Sequence, residues 1–285
     1  MKGTEKDNKK HKNMDNLSIY VIQPPYYAGE NPDEKIARFL LSEAEKCDDN
    51  SLILLPEYSN AGGLSDKERE ILALPRAEVM LNAASDIARR KRSYIGINVL
   101  EKRDGSIKNS TYLFDREGSV AFVYDKIHLP PSELTLGIQR GDGECVFELD
   151  GIRFAFMTCY DVYFNEQIEY IAKQKPDVIL VPGYQRGERV DIIEAQAKLA
   201  AFRCNAFVAR ASYSMDSSER GGSSMIVSPD GTIIKNLGKA VGKISVTVDP
   251  KEKYMRTAGF GGGMVRNDDF INNGLCPSVF NPEIR

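Results

Sequence analysis

Strand-length apolar runs alternate with helix-length amphipathic stretches along almost all of this 285-residue chain, and that alternation confines it to layered α/β architectures. Residues 17–23 read as a strand stopped by Pro24-Pro25, and residues 32–47, opened by Pro32 and Asp33, read as a helix. A short apolar strand over 51–55 ends at Pro56-Glu57, and a second helix covers 76–91. Three strands follow at 94–101, 110–115 and 119–124, joined by the turn-like Arg103-Asp104-Gly105 and Arg116-Glu117-Gly118. Beyond a long loop, Asp150-Gly151 joins strands at 145–149 and 152–158 in a strong hairpin signal. A helix at 164–173, a strand at 178–181 and a helix at 190–204 come next. Strands at 207–211, 225–228, 232–235 and 243–248 complete the pattern. Hairpins mixed with helical crossovers predict an α/β domain with mixed sheets, not a purely parallel doubly wound one.

One domain over 17–250 accounts for this pattern. Residues 1–16 are polar and lysine-rich, lack the apolar stretch of a secretory signal, and read as a disordered tail. Residues 251–285, rich in Gly and Asn, read as an arm packed on the domain or on a partner subunit. The chain holds 38 basic and 41 acidic residues, a net charge of −3. So close a balance gives no long-range attraction to nucleic acid or to anionic membranes, and neither is an expected partner. No apolar run reaches the length of a bilayer span.

The five cysteines (Cys47, Cys145, Cys159, Cys204 and Cys276) are scattered and form no C-x-x-C pair. That argues against a disulfide framework and a zinc site, and suits the reducing cytoplasm. Of the two histidines, His11 lies in the tail, leaving His128 for the folded body. A zinc site with several histidines is therefore not expected. If the chain is a hydrolase, its proton transfers run through carboxylates or lysine rather than a histidine triad.

Three segments share a design in which an apolar strand ends on a chemically capable side chain, the place where α/β folds usually put their sites. The first delivers Glu57, whose carboxylate burial would tune toward general-base work. The second, Tyr124 to Glu133, carries Lys126, able to stabilise an oxyanion, with Glu133 to orient it. Its His128, between Ile127 and Leu129, reads as a structural histidine. The third ends at Cys159, followed by Tyr160-Asp161 and a helix whose amide dipoles, with a nearby lysine, would stabilise a thiolate. Taken singly, Glu57 and Lys126 are equally well an acid and a lysine at the start of surface loops, and most buried cysteines are inert.

Taken together, the segments resemble the nitrilase (carbon–nitrogen hydrolase) superfamily, in its amidase-like branch. The motifs are Pro56-Glu57, Lys126-Ile127-His128-Leu129 and Cys159-Tyr160-Asp161-Val162-Tyr163-Phe164-Asn165-Glu166. Downstream, Gly222 to Gly231 is similar to the family's late G-x-S-x-I-x-x-P-x-G hairpin. The resemblance departs at Asn165, where a proline is usual, and over residues 201–205, which keep only Asn205 of an R-A-x-E-N pattern.

The resemblance implies a four-layer α-β-β-α sandwich, commonly paired into a homodimer or higher homo-oligomer, and chemistry without metal or cofactor. It implies a Glu57-Lys126-Cys159 triad, with Glu133 positioning Lys126 or the substrate. The reaction it implies cleaves a non-peptide C–N bond of a small amide through a cysteine thioester. Tyr160, Tyr163 and Tyr184 are candidates for substrate contact, as is Tyr26. Other readings are an N-carbamoyl amine or amino-acid hydrolase, a nitrilase, or a catalytically silent scaffold relative. Arginines that bind the carboxylate of carbamoyl amino acids often follow the cysteine motif; here Val162-Tyr163 stands there, leaving Arg186, Arg189 or Arg210 to take that part. The run Gly259 to Gly263 does not read as a nucleotide loop, because no strand precedes it and no clear helix follows.

Overall fold

Residues Leu17–Gln23 are apolar at both parities, so a strand built from them has to be buried on both faces. In the computed structural model, which describes residues 16–27 and 29–276, this stretch is β1. Its Leu17, Ile19 and Val21 enter one core cluster, while Tyr20 and Ile22 enter another on the opposite face. Apart from Asn16, the expected tail, His11 included, lies outside the described residues, as do residues 277–285 of the expected arm.

After β1 the chain forms α1 (Pro32–Glu45) and β2 (Leu52–Leu54). A short α2 (Asp66–Glu68) and a π-helical turn (Arg69–Ala73) lead into α3 (Leu74–Lys91). Strands β3 (Tyr94–Arg103), β4 (Ser106–Phe114) and β5 (Val120–Asp125) form two successive hairpins, followed by α4 (Pro131–Thr135). The second half holds β6 (Val146–Leu149), β7 (Ile152–Phe156), a 3-10 turn (Cys159–Tyr163), α5 (Asn165–Lys173) and β8 (Val178–Pro182). Then come α6 (Val190–Cys204), β9 (Phe207–Ala211), β10 (Met225–Val227), β11 (Ile233–Asn236) and β12 (Gly242–Val248). A hairpin of β13 (Met255–Thr257) and β14 (Met264–Arg266) and the short α7 (Asn267–Asn272) end the described chain.

Two six-stranded sheets result, ordered β12-β1-β2-β3-β4-β5 and β11-β10-β9-β8-β7-β6. Each has three parallel strands at its centre (β1, β2, β3 and β7, β8, β9) and antiparallel strands outside them. The sheets pack face to face, with α1 and α3 covering the first and α5 and α6 the second. This is the mixed-sheet, four-layer α/β sandwich that the resemblance implied. Each fully buried Leu, Ile or Phe in these layers contributes about 1.5–3 kcal/mol relative to exposure, so the spacing between sheets is held firmly. No helix among the described residues is long and apolar enough to cross a membrane.

The elements depart from the sequence reading where polar residues serve the interior. Strand β4 begins at Ser106 and not at residue 110, because Asn109 and Thr111 face inward as hydrogen-bonding groups. The long loop before residue 145 contains α4. Gly259 to Gly263 lie in the exposed turn that joins β13 to β14.

Candidate active site

Glu57, Lys126 and Cys159 follow the C-terminal ends of β2, β5 and β7. Strands β2 and β7 belong to the parallel centres of their sheets, whose C-terminal ends are where an α/β sheet leaves side chains free to form a site, and the antiparallel edge strand β5 ends beside them. Two of these exits turn sharply through the left-handed region: Tyr58, directly after Glu57, has φ 56°, and Cys159 itself has φ 49°. A non-glycine residue there is strained by roughly 1–2 kcal/mol. The surroundings hold both turns. The Tyr58 amide donates to Asn98 Oδ1 at 2.8 Å, and the Thr158 amide donates to Asp161 Oδ2 at 2.7 Å.

The structure brings the four expected catalytic residues together. Lys126 Nζ donates to Glu57 Oε1 and to Glu133 Oε1, each at 2.8 Å. Asn109 Nδ2 donates to the same two carboxylates, at 2.9 and 3.1 Å, and Tyr58 Oη donates to Glu133 Oε1 at 2.5 Å. Glu57 and Lys126 are each only 1% exposed, and Glu133 is buried beside them. Burial alone would lower the Lys126 pKa, but the facing Glu57, Cys159 and Glu133 hold it above the ordinary lysine value. Burial pushes the Glu133 carboxyl up, with Lys126 pulling it back. Among the described residues Glu133 Oε2 has no hydrogen-bond partner.

Cys159 alone among the four is partly exposed. Burial first, and the Glu57 carboxylate second, raise its thiol well above the ordinary cysteine value; Lys126 and the Tyr184 amide act in the opposite sense. Of the two groups expected to stabilise a thiolate, the lysine acts in that sense. A 3-10 turn, not the start of an α-helix, follows the cysteine, and the adjacent carboxylate outweighs the lysine. The thiol thus faces a carboxylate that favours its protonated form.

Asp161 ties the cysteine turn to the lysine strand. Its Oδ1 accepts from the His128 amide at 2.9 Å and lies 3.0 Å from His128 Nδ1; its Oδ2 accepts from Tyr124 Oη at 2.6 Å. His128 stacks on Phe164 with centroids 3.8 Å apart, and its Nε2 lies 2.9 Å from Glu166 Oε1. It sits in this bracing network and makes no hydrogen bond to Glu57, Lys126, Glu133 or Cys159 among those of the described residues.

The three tyrosines expected to touch substrate fall into two places. Tyr184 packs edge-on against Tyr58 at 5.5 Å, within an aromatic cluster that includes Tyr26 and Tyr213 and against which Cys159 packs. Tyr160 and Tyr163 face each other at 5.5 Å on the more exposed side of the cysteine turn, and Tyr163 Oη donates to Glu188. Sequence reasoning missed Asn109, Asn98, Tyr58 and Tyr213. The available signal was an asparagine and threonine in alternation along a strand, Asn109 and Thr111, where a solvated face was the simpler reading. Among the described residues no group of three or more His, Cys, Asp or Glu side chains is placed to hold a metal ion.

Known proteins carry the same architecture. An amidase from Nesterenkonia sp. superposes with a TM-score of 0.70 at 18% identity, over 82% of this chain and 90% of that one. Saccharomyces cerevisiae Nit3, of the nitrilase superfamily, gives a TM-score of 0.68 at 19% identity, over 83% and 91%. By sequence, a 2-oxoglutaramate amidase of Paenarthrobacter nicotinovorans is 26% identical over 249 residues, 82% of this chain and 83% of that protein. One of Bacillus subtilis is 26% identical over 165 residues, which spans 54% of this chain and 61% of that protein. The sequence model of the carbon-nitrogen hydrolase family matches residues 15–253. That span runs from β1 to beyond β12 and takes in every strand that builds the site, so the chain belongs to the carbon-nitrogen hydrolase family.

Proposed function

We propose that this chain hydrolyses the C–N bond of a small amide, with Cys159 as nucleophile, Glu57 as general base and acid, Lys126 as oxyanion donor and Glu133 as the residue that positions Lys126. The observation that carries this reading is the buried Lys126 ammonium, held 2.8 Å from each of two carboxylates beside the partly exposed thiol. An ammonium has three N–H donors; two are engaged, leaving one for an oxygen that becomes negative. Glu57 takes the thiol proton as sulfur attacks the amide carbon, and the carbonyl oxygen becomes an oxyanion facing Lys126. Collapse of that intermediate breaks the C–N bond, and Glu57 returns the proton to the departing ammonia or amine. Water, deprotonated by Glu57, then adds to the thioester. Carboxylic acid leaves, and the thiol regains its proton.

The Tyr184 amide faces the sulfur, which favours Tyr184 as a substrate contact; Tyr160 and Tyr163 would form the outer rim. Two relatives bear the name 2-oxoglutaramate amidase, in line with an amide in place of a nitrile or carbamoyl compound. The same reading holds a cytoplasmic homo-oligomer, supported by five unpaired cysteines and by Ile192 and Leu199 exposed on α6. Intact-protein mass spectrometry during incubation with small amides, with ammonia release followed in parallel, tests the chemistry. An acyl adduct that maps to Cys159 and is lost in Cys159→Ala is the expected result. Hydrolysis that persists in Cys159→Ala would refute it.

A further inference from the structure

Arg210 is a buried cation that no carboxylate balances. It stands on β9, level with Val181 of β8 and Met225 of β10, and is 2% exposed. Nη1 donates to the Gly222 and Ser223 carbonyls at 2.7 and 2.9 Å, and Nη2 donates to Gln185 Oε1 at 3.1 Å. All three acceptors are neutral. Among the described residues Arg210 forms no ion pair, whereas Arg103, Arg153, Arg203 and Arg266 all do. Burial lowers its pKa to about 10, which leaves it charged at neutral pH. The backbone is bent to receive it: Gly221, Gly222 and Ser223 lie in succession in the left-handed region, at φ 63°, 60° and 55°, and turn two consecutive carbonyls onto one nitrogen. An apolar side chain of similar length would fill this space without the cost of desolvating a charge, so packing does not account for the arginine.

The guanidinium brackets the turn after β8. It bonds Gln185 on one side, and on the other it lies so close to Gly183 that a Cβ there would sit 3.3 Å from Nη2. Tyr184, between them, is the residue whose amide faces the Cys159 sulfur. Gln185 in turn donates to Gln196 Oε1 at 2.9 Å, which ties the turn to α6. Arg210 and Cys159 belong to one sheet, on β9 and after the end of β7 with β8 between, whereas Glu57 and Lys126 follow strands of the other. Burial aside, Cys159 and Tyr163 are the groups whose charge acts on Arg210, and Glu57 and Lys126 act on Cys159 from across the site.

We propose that Arg210 is a positioning residue of the hydrolytic centre, which holds the Tyr184 amide on the sulfur and draws negative charge from Glu57 onto Cys159 as the attack begins. The inference rests on the amide-hydrolase reading. As Cys159 gives its proton to Glu57, one negative charge leaves a carboxylate on the first sheet and appears on a sulfur of the second, the sheet that holds Arg210. A fixed cation on that side favours the transfer and needs no reorganisation when it occurs. Lys126, bonded to Glu57 at 2.8 Å, stabilises the charge where it starts as well as where it goes, so it does not by itself set the direction.

The test follows iodoacetamide labelling of Cys159 by peptide mapping between pH 7 and pH 10, in the full chain and in Arg210→Gln and Arg210→Lys. Butyramide hydrolysis and urea unfolding are measured alongside. In Arg210→Gln the labelling profile is expected to move up by about one pH unit, a roughly tenfold slower rate at pH 8, and Arg210→Lys is expected to recover most of it. Toward butyramide, kcat should fall with KM unchanged. Gln185→Leu cuts the tether and keeps the cation; it should move the profile the same way by less, and it carries the test if Arg210→Gln does not fold. Loss of urea resistance with the profile unmoved in Arg210→Gln and Gln185→Leu would make Arg210 a packing residue and overturn the proposal, while butyramide hydrolysis that depends on Cys159 leaves the amide-hydrolase reading intact. Hydrolysis that persists in Cys159→Ala overturns that reading and this inference with it.

Discussion

Lys126 Nζ lies 2.8 Å from Glu57 Oε1, and both side chains are 1% exposed. A buried ion pair is costly to assemble but more costly to break from one side, since the remaining charge is stranded. Lys126→Met leaves Glu57 and Glu133 facing each other without a cation. It is expected to destabilise the fold by about 3–5 kcal/mol and to abolish turnover. Glu57→Gln keeps the shape and the Lys126–Glu133 contact. It should lower kcat/KM by roughly 10³-fold through loss of the base with a much smaller stability change. Urea unfolding beside steady-state kinetics separates the two; equal destabilisation by both would contradict the geometry.

The thiols should sort by environment. Burial pushes Cys47, Cys145 and Cys204 up to about 12, so they should resist alkylation in the native protein. Cys276 is exposed and Cys159 partly so. Because Glu57 raises the Cys159 pKa, Glu57→Gln is expected to speed iodoacetamide labelling of Cys159 at pH 8 even as it slows hydrolysis. Peptide mapping after timed labelling gives the answer. Slower labelling in the variant would mean that Glu57 acts on the thiol mainly as a base even toward an alkylating agent.

His128 links stability to pH. Its hydrogen bond to Asp161 raises its pKa, burial opposes this, and Glu166 adds to the rise. A histidine with a raised folded pKa gives stability that is fully present below the ordinary value near 6.5 and is lost as pH rises through the folded value. Unfolding free energy should therefore decline from about pH 6.5 upward by an amount that disappears in His128→Gln. Denaturant titrations at pH 5.5 and pH 8.5 for both proteins measure it. A variant that retains the full difference would remove His128 from the account.

Gly141 packs against the strand end that carries Lys126. A Cβ placed on it would lie 2.2 Å from the Asp125 carbonyl oxygen and 2.9 Å from the carbon, both backbone atoms that cannot move independently. Its amide also donates to the Lys126 carbonyl at 3.0 Å. Gly141→Ala should cost about 1–3 kcal/mol by overpacking and lower kcat more than KM, because Lys126 shifts while the aromatic wall does not. Wild-type kinetics at full folding would show that the loop yields freely.

Much of this was legible in the order of residues. The boundaries of α6 (Val190–Cys204) and β9 (Phe207–Ala211) follow from apolar spacing alone, since packing and periodicity agree there. Glu57, Lys126, Glu133 and Cys159 could be singled out because each stands where an apolar run stops. Asn109 could not. Its importance comes from β4 lying antiparallel to β3 and β5, which brings it level with Lys126, and no local pattern encodes that register. The balance of charges on Cys159 is not legible for a related reason. Whether Glu57 or Lys126 governs its proton depends on where the two carboxylates and the lysine meet, which is a property of the assembled sheets.

The first sheet ends with the last strand of the sandwich: β1 pairs antiparallel with β12, placing Leu17 opposite Val248. Emerging from the ribosome, the chain has Glu57, Lys126, Glu133 and Cys159 in hand long before β12 exists to close that edge. Contacts of such sequence separation form late and slowly. The thiol and its base are thus contributed by different sheets, whose joint burial awaits the end of the domain. On the proposed chemistry, an unfinished copy would hold a cysteine and a glutamate apart, and the pair would be assembled only as the fold is completed.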